Sequence, residues 1–220
     1  MTPVAASPPT APTEDHGGLA LYRLWHPNTL TPTAGHLRTW GPAWRFDPHP
    51  LPVADRPDGP TAWYGAEAFE TAVREKYDRF EPGEPRLVTI CSRTRVSLVR
   101  LPSPTQLLDL TAHARTVGAP DDLGDDPAAD YSDTWGWARA LHTNNAFDGL
   151  RYWSARHRHP DGTRSGVNVV IWRLAAGKLD VIIDQPFTNP GVEARVVTML
   201  DQPHIDIGAD IVDSCAACLR

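Results

Sequence analysis

Between Leu19 and Trp25 the chain reads LALYRLW, apolar at nearly every position, and such a run predicts a buried strand with one cation, Arg23, planted in it. A buried guanidinium must be paired or must face a cleft that holds an anion. Further on, Ala62, Trp63 and Tyr64 read as a short strand end that turns through Gly65 into an amphipathic helix. With Phe69 as origin and about 100° per residue, Ala72, Val73, Tyr77 and Phe80 fall within roughly 80° of it, one apolar face of helical period. Glu75 falls about 120° away, on the flank. Periodicity alone makes it a solvated carboxylate paired (i, i+4) with Arg79.

The remaining pattern is mixed. Ala43 to Asp47 is a second short apolar patch, built around Arg45, and the proline-rich segment 48–60 is a loop. Arg86 to Ile90 and Val96 to Leu101 predict a hairpin or adjacent strands. Pro104 opens a short helix through Leu107, Leu108 and Leu110, with Ser103 as N-cap. Asp133 to Asn144 predicts a second amphipathic helix carrying Trp135, Ala138 and Leu141 inward, and Ser132 stands among the residues that cap its start. Strands follow at Leu150 to Ser154, Val167 to Leu174 and Leu179 to Ile183. Val192 to Leu200 reads as a short helix or strand, and Ile205 to Ile211 alternates like an edge strand. With no βαβ repeat and no glycine-rich phosphate loop, the class is α+β: one domain over residues 19–220, mixed sheets with flanking helices. Residues 1–18, rich in Pro, Ala and Thr, read as a disordered leader outside the fold.

Composition narrows the ligand. The net charge is −6 with no basic block, which argues against a dedicated nucleic-acid or anionic-membrane binder and for a small molecule. No signal peptide or long apolar run appears, so the cytoplasm is the expected compartment. Three cysteines make no disulfide framework. Cys215 and Cys218 form a CxxC, but a zinc site needs two more ligands, and none is evident. His157 and His159 lack a spaced carboxylate or cysteine and read as surface histidines. The acidic loop of Asp121, Asp122, Asp125 and Asp126 does not have EF-hand spacing and reads as solvated. No metal is expected.

Four polar groups remain in apolar settings: Arg23, Arg45, Glu75 and Ser154. Their order and surroundings resemble the RES-domain family. The matching pieces are Tyr22-Arg23, then Arg45-Phe46-Asp47-Pro48, then Tyr64 followed eleven residues later by Glu75 with Ala72 between, then Asp148 to Arg156 (DGLRYWSAR) leading to Val167–Trp172. Phe46 and Asp47 depart from the commoner Trp-Asn, and the glycine usually found beyond them is absent.

The resemblance implies an ADP-ribosyltransferase-like fold that binds NAD and breaks its nicotinamide–ribose bond, commonly as the toxin of a bacterial toxin–antitoxin pair with an Xre-type antitoxin. On that reading Glu75, Arg23 and Ser154 are the catalytic candidates. Arg23 and Arg45 would hold the phosphates, Tyr64 would stack on nicotinamide or position the ribose, and Ser132, Ser154 and Arg156 would complete the NAD contacts. Such cleavage passes through an oxocarbenium-like state that a carboxylate stabilises. Hydrolysis and transfer of ADP-ribose to a protein acceptor both stay open, as does a homo-oligomer. Two other classes are a non-catalytic interaction protein and a metal-dependent hydrolase built on His157, His159 and the acidic loop, which a chelator would inactivate.

Overall fold

In the computed structural model the strand predicted at LALYRLW lies inside a sheet of eight strands. The structure describes residues 14–77, 86–88, 90–120, 123, 131–159, 161–174, 178–200, 205–207, 212 and 215. In chain order the elements are β1 (Glu14–Asp15), β2 (Ala20–Trp25), β3 (Trp40–Gly41), β4 (Ala54–Asp55), β5 (Trp63–Ala66), α1 (Phe69–Tyr77), β6 (Arg86–Val88), β7 (Arg95–Arg100), β8 (Gln106–Asp109) and α2 (Leu110–His113). They continue with α3 (Ser132–Asn144), β9 (Gly149–Trp153), β10 (Val167–Ile171), β11 (Asp180–Pro186), α4 (Pro190–Leu200) and β12 (Ile205–Ile207). The large sheet runs β1-β8-β9-β10-β5-β2-β7-β11, with two-stranded ribbons β12-β6 and β3-β4 beside it. Only β8 and β9 pair parallel within the large sheet, among the described residues, so the class is α+β as the pattern predicts.

Register decides which side chains share a face. Tyr22 lies opposite Ala66, Ala66 opposite Asn168, and Asn168 opposite Tyr152, one row across four strands. Arg23, Gly65, Val169 and Arg151 belong to the row on the other side. On the first face α1 and α4 pack through Phe69, Val73, Val192 and Val196 against Tyr22 and Leu24, and α3 packs through Trp137, Ala138 and Leu141 against Leu150 and Tyr152. The second face buries Leu21, Trp25, Trp63, Val99, Leu107, Val169 and Ile171. Complete burial of side chains of this size contributes about 1.5–3 kcal/mol each. Where β9 meets β10, a Cβ on Gly149 would lie 1.9 Å from the Val170 carbonyl oxygen, so only glycine permits that pairing.

Several expectations are corrected. Glu14 pairs with Leu107 and Asp15 with Gln106, so the fold takes in the last residues assigned to the leader; residues 1–13 lie outside the described residues. Gly65 is inside β5, and the turn into α1 falls at Glu67 and Ala68. Phe80, the acidic loop aspartates and Cys218 also lie outside the described residues. β6 does not pair with β7; it joins β12 in a parallel ribbon, whereas β7 joins β2 and β11. The predicted helix through Leu107 is strand β8, and the helix begins only at Leu110, capped by the Asp109 carboxylate. The reason is that Leu107 and Leu108 enter different cores on opposite faces, which a strand allows and a helix does not. On α3 the inward set is Thr134, Trp137, Ala138 and Leu141, the (i, i+3, i+4, i+7) stripe; Trp135 sits on the flank and donates its indole N–H to the Trp44 carbonyl (2.9 Å). No helix of the described residues is long and apolar enough to cross a membrane.

Candidate active site

The flank position of Glu75 acquires a cause once the sheet is in place. α1 lies on the face that carries Asn168, and the end of β9 brings Ser154 to the same place. Ser154 Oγ donates to Glu75 Oε1 at 2.5 Å, and the Asn168 amide donates to the same oxygen at 2.7 Å. Ser154 is fully buried, and its oxygen accepts the backbone N–H groups of Arg156 (3.1 Å) and His157 (2.9 Å). With both lone pairs so engaged, the hydroxyl proton is left for the carboxylate. Hydrogen bonds to a charged acceptor are the stronger kind, and two of them fix the carboxylate's orientation. Both donors go to Oε1, and Glu75 itself is half-buried.

The loop after Ser154 is locked to α1. His157 Nδ1 lies 2.7 Å from Thr71 Oγ1, and its Nε2 lies 3.5 Å from Glu70. Gly166 makes this approach possible, since a Cβ there would stand 2.6 Å from both His157 and Thr71. Burial, opposed by Glu70, lowers the His157 pKa and favours the neutral ring.

Arg45 reaches the cluster from the loop between β3 and β4. Phe46, beside it, has a positive φ of 61°, an uncommon conformation for a residue with a side chain. It is held there by complete burial, by a tilted ring contact with Tyr152 at 4.7 Å and by the Trp172 indole N–H on its carbonyl (3.0 Å). This turn places the Arg45 guanidinium 5.5 Å from the Tyr131 ring centroid, a cation–π contact. Both charges of the site act on Tyr152. Burial first, and then the Glu75 carboxylate, raise its phenol pKa far above the ordinary value, while Arg45 opposes them, so the hydroxyl keeps its proton.

Tyr64 is placed nearby but is committed to the framework. Its hydroxyl lies 2.6 Å from Asp47 Oδ1 and 2.7 Å from the Arg45 carbonyl, and burial followed by the Asp47 charge raises its pKa. Asp47, fully buried, also takes both of its oxygens to Arg38 (2.7 and 2.8 Å) and accepts the backbone N–H groups of Ala43 and Trp44. Removing one partner of such a buried pair costs about 3–5 kcal/mol. Asp47 in place of the commoner asparagine is thus the anchor of the loop that carries Arg45.

Arg23 is not brought to Glu75. It projects from the opposite face, donating to the carbonyls of Ala34 (2.8 Å) and His36 (3.4 Å), with its guanidinium 5.4 Å from the Trp63 ring centroid. Burial, and then the Arg38 charge, push its pKa down to about 9, which still leaves it a cation at neutral pH. Ser132 is an exposed first residue of α3, whose cap position is Tyr131. Arg156 is half-buried next to Ser154 and contributes its backbone N–H to the Ser154 hydroxyl. A cavity of about 460 Å³ lined by Trp25, Pro32, Ala34, Arg95 and Asp184 lies on the Arg23 side. Its charges answer each other, Asp184 accepting from Arg95 (2.8 Å) and Ser97 (2.7 Å), and it holds none of the Glu75 cluster.

Asn168, Tyr152 and Tyr131 are site residues that the sequence reading did not single out. For Asn168 the signal was present: one amide inside the apolar run VNVVI. Tyr152 stands in the same motif as Ser154, and its role needs the register to be seen. Tyr131 has no sequence signal, because the loop of Arg45 meets it only in space.

An α+β domain with a half-buried carboxylate held by a hydroxyl and an amide, and an arginine whose charge acts on the neighbouring Tyr152, defines the class of site. The chain belongs to the RES domain family, which matches residues 20–191. Its fold is similar to that in a crystal structure of the M. tuberculosis MbcT-MbcA toxin-antitoxin complex, with a TM-score of 0.54, 14% identity, and 84% of this chain and 92% of that chain covered. No curated protein matches the chain.

Proposed function

We propose that this chain is the toxin of a toxin–antitoxin pair and that it cleaves NAD at the nicotinamide–ribose bond. The observation that carries the reading is the Glu75 carboxylate, fixed by Ser154 and Asn168, with the Arg45 charge of the β3–β4 loop acting on the same Tyr152. Cleavage sends the C1′–N bonding pair to the pyridinium nitrogen, so nicotinamide leaves neutral and the ribose becomes oxocarbenium-like. Glu75 supplies negative charge where that positive charge develops, or holds the ribose hydroxyls. Water adds to C1′ and loses a proton, giving ADP-ribose. Arg45 offers its planar donor fork to the pyrophosphate, and Tyr131 and the protonated Tyr152 give the cleft aromatic walls and a hydroxyl donor. Arg23 holds the segment at Ala34 and His36 against Trp63 on the opposite face and has a framework role in this reading.

Family membership supports the toxin role, and the similarity to a toxin crystallised with its antitoxin supports an antitoxin partner; that this partner is of the Xre type and covers the site is what the family resemblance implies. The cytoplasm is the compartment in which this reaction would drain NAD. The test is nicotinamide release from NAD by the purified chain. Wild type is expected to release it, and Glu75→Gln to fall by about 10²–10³ with its melting temperature little changed. An absence of release from folded wild type at any enzyme concentration would sink the proposal.

A further inference from the structure

Cys215, the first residue of the CxxC, has no partners in the sequence pattern, but the fold supplies two. Past the parallel ribbon of β6 and β12 the two segments stay paired: Val212 N–H donates to the Ile90 carbonyl (3.0 Å), and Ser92 N–H donates to the Val212 carbonyl (2.9 Å). This pairing fixes Cys91 against Val212 and delivers Cys215, three residues on, to the end of β2. There the Cys215 Sγ lies 3.5 Å from His26 Nε2. One ligand atom each from His26, Cys91 and Cys215 can be chosen so that all three lie within 4.8 Å of one another. His26 and Cys91 are buried and Cys215 is half-buried, which leaves an approach from the Cys215 side.

We infer that His26, Cys91 and Cys215 bind a zinc ion that ties the C-terminal segment to the sheet. The His26–Cys215 separation of 3.5 Å matches the roughly 3.6 Å between a sulfur and a nitrogen on tetrahedral zinc. Cys91, within 4.8 Å of both, completes the set with a small closing movement toward the roughly 3.8 Å of two zinc-bound sulfurs. Soft thiolates with an imidazole are a zinc donor set, and two thiolates balance the dication. Cys215 also opens a CxxC, the spacing of paired zinc ligands in the sequence. Binding releases one proton from each thiol. Ligation through Nε2 moves the imidazole proton to Nδ1, so the Lys76 ammonium, 2.9 Å from Nδ1, turns away, and the Thr94 hydroxyl, 3.0 Å from Nε2, gives up its contact. Three protein ligands leave the fourth tetrahedral position to water on the half-buried Cys215 side, and the role is to tether the C-terminal segment, because the site shares no residue with the Glu75, Ser154 and Asn168 cluster. Lys76 directly follows Glu75 on α1, so the metal sets what that residue touches without entering the reaction.

The test uses the full chain, reduced and stripped of metal, titrated with Co²⁺ as a spectroscopic stand-in for zinc. Thiolate-to-cobalt charge transfer and tetrahedral d–d bands are expected to saturate near about one equivalent and to be bleached by added Zn²⁺. Cys91→Ala and His26→Asn should each lose that spectrum, whereas Glu75→Gln should retain it, and chelation of zinc-loaded wild type should lower the melting temperature. The wild-type titration does not depend on whether a variant folds. No thiolate–cobalt band in wild type overturns the inference. So does an unchanged spectrum in Cys91→Ala, or a Cys91–Cys215 disulfide that on reduction yields a protein with no cobalt uptake. Nicotinamide release is not part of the readout, so the outcome is independent of the NAD reading.

Discussion

Tyr22 and Arg23 are neighbours in one strand, yet they belong to two regions with different tasks. On the Tyr22 face the polar groups converge on one half-buried carboxylate, with Ser154 and Asn168 donating and Arg45 and Tyr152 close by. On the Arg23 face each charge is answered locally: Arg23 by two carbonyls and the Trp63 ring, Arg151 by Glu67 (2.5 Å) and Asp109 (2.6 Å), and Arg95 by Asp184 (2.8 Å). A polar group in an apolar strand therefore signals function only when its partners leave something for a ligand. On the first face both donors go to one oxygen of a half-buried carboxylate, whereas on the second face Arg23, Arg151 and Arg95 each meet carbonyl or carboxylate partners.

After loss of Glu75 itself, the largest expected effect comes from its two donors. Ser154→Ala removes a hydrogen bond to a charged acceptor and strands the N–H groups of Arg156 and His157. Asn168→Ala removes only the amide. Each leaves Glu75 one donor short, a loss of about 1.5–3 kcal/mol for a bond to a charged group, or about ten- to a hundredfold in kcat, with Ser154→Ala the larger. Stopped assays of nicotinamide release, with circular dichroism melts as control, measure both. Equal kcat in Asn168→Ala and wild type would remove Asn168 from the site.

Next comes a matched pair, Arg45→Lys and Arg23→Lys. Lysine keeps the charge but loses the planar fork. At Arg45 the expected result is a KM for NAD raised by about tenfold, with kcat and the melting temperature close to wild type. At Arg23 the order reverses. Kinetic constants should stay within about twofold, while the lost carbonyl contacts and stacking on Trp63 cost about 1–2 kcal/mol, a drop of roughly 2–8 °C in melting temperature. A stable Arg23→Lys with a raised KM would place Arg23 against the substrate and dissolve the contrast between the faces.

The contrast also explains what the sequence could and could not say. Strands β2, β9 and β10 and helices α1 and α3 are legible because their apolar periods are long enough to stand out. Glu75 and Ser154 are legible as a pair through the family motif, and the structure joins them by one hydrogen bond. The side on which Arg23 falls is not legible, because that depends on which face of β2 the helices choose, a choice made by Phe69 on Tyr22 far along the chain. The strand at Gln106–Asp109 was hidden for a similar reason. Leu107 and Leu110 mimic a helical spacing, and only pairing with β9 shows that Leu107 and Leu108 point apart. The partners of Cys215 were equally out of reach, since Cys91 and His26 come to it through a parallel pairing of distant segments.

The smallest expected effect is a pH dependence at the rim of the site face, where His157 is set between Thr71 and Glu70. The groups that face its ring are Glu70 and Glu75, which favour the proton, and Arg74 and His159, which oppose it; burial outweighs them all and lowers the pKa from its ordinary 6.5. The folded protein therefore takes up this proton at a lower pH than the unfolded chain. As pH falls below about 6.5 the unfolded state gains protons first, so this residue's contribution to stability declines with acidification and levels off once the folded form is protonated too. His157→Gln keeps a side-chain partner for Thr71 and removes the titration. Its melting temperature should therefore fall less than that of wild type between pH 7.5 and 5.5, with Glu70→Gln steepening the wild-type decline because it removes the nearest opposing charge. Parallel curves for wild type and His157→Gln would mean that the acid sensitivity of this face lies elsewhere.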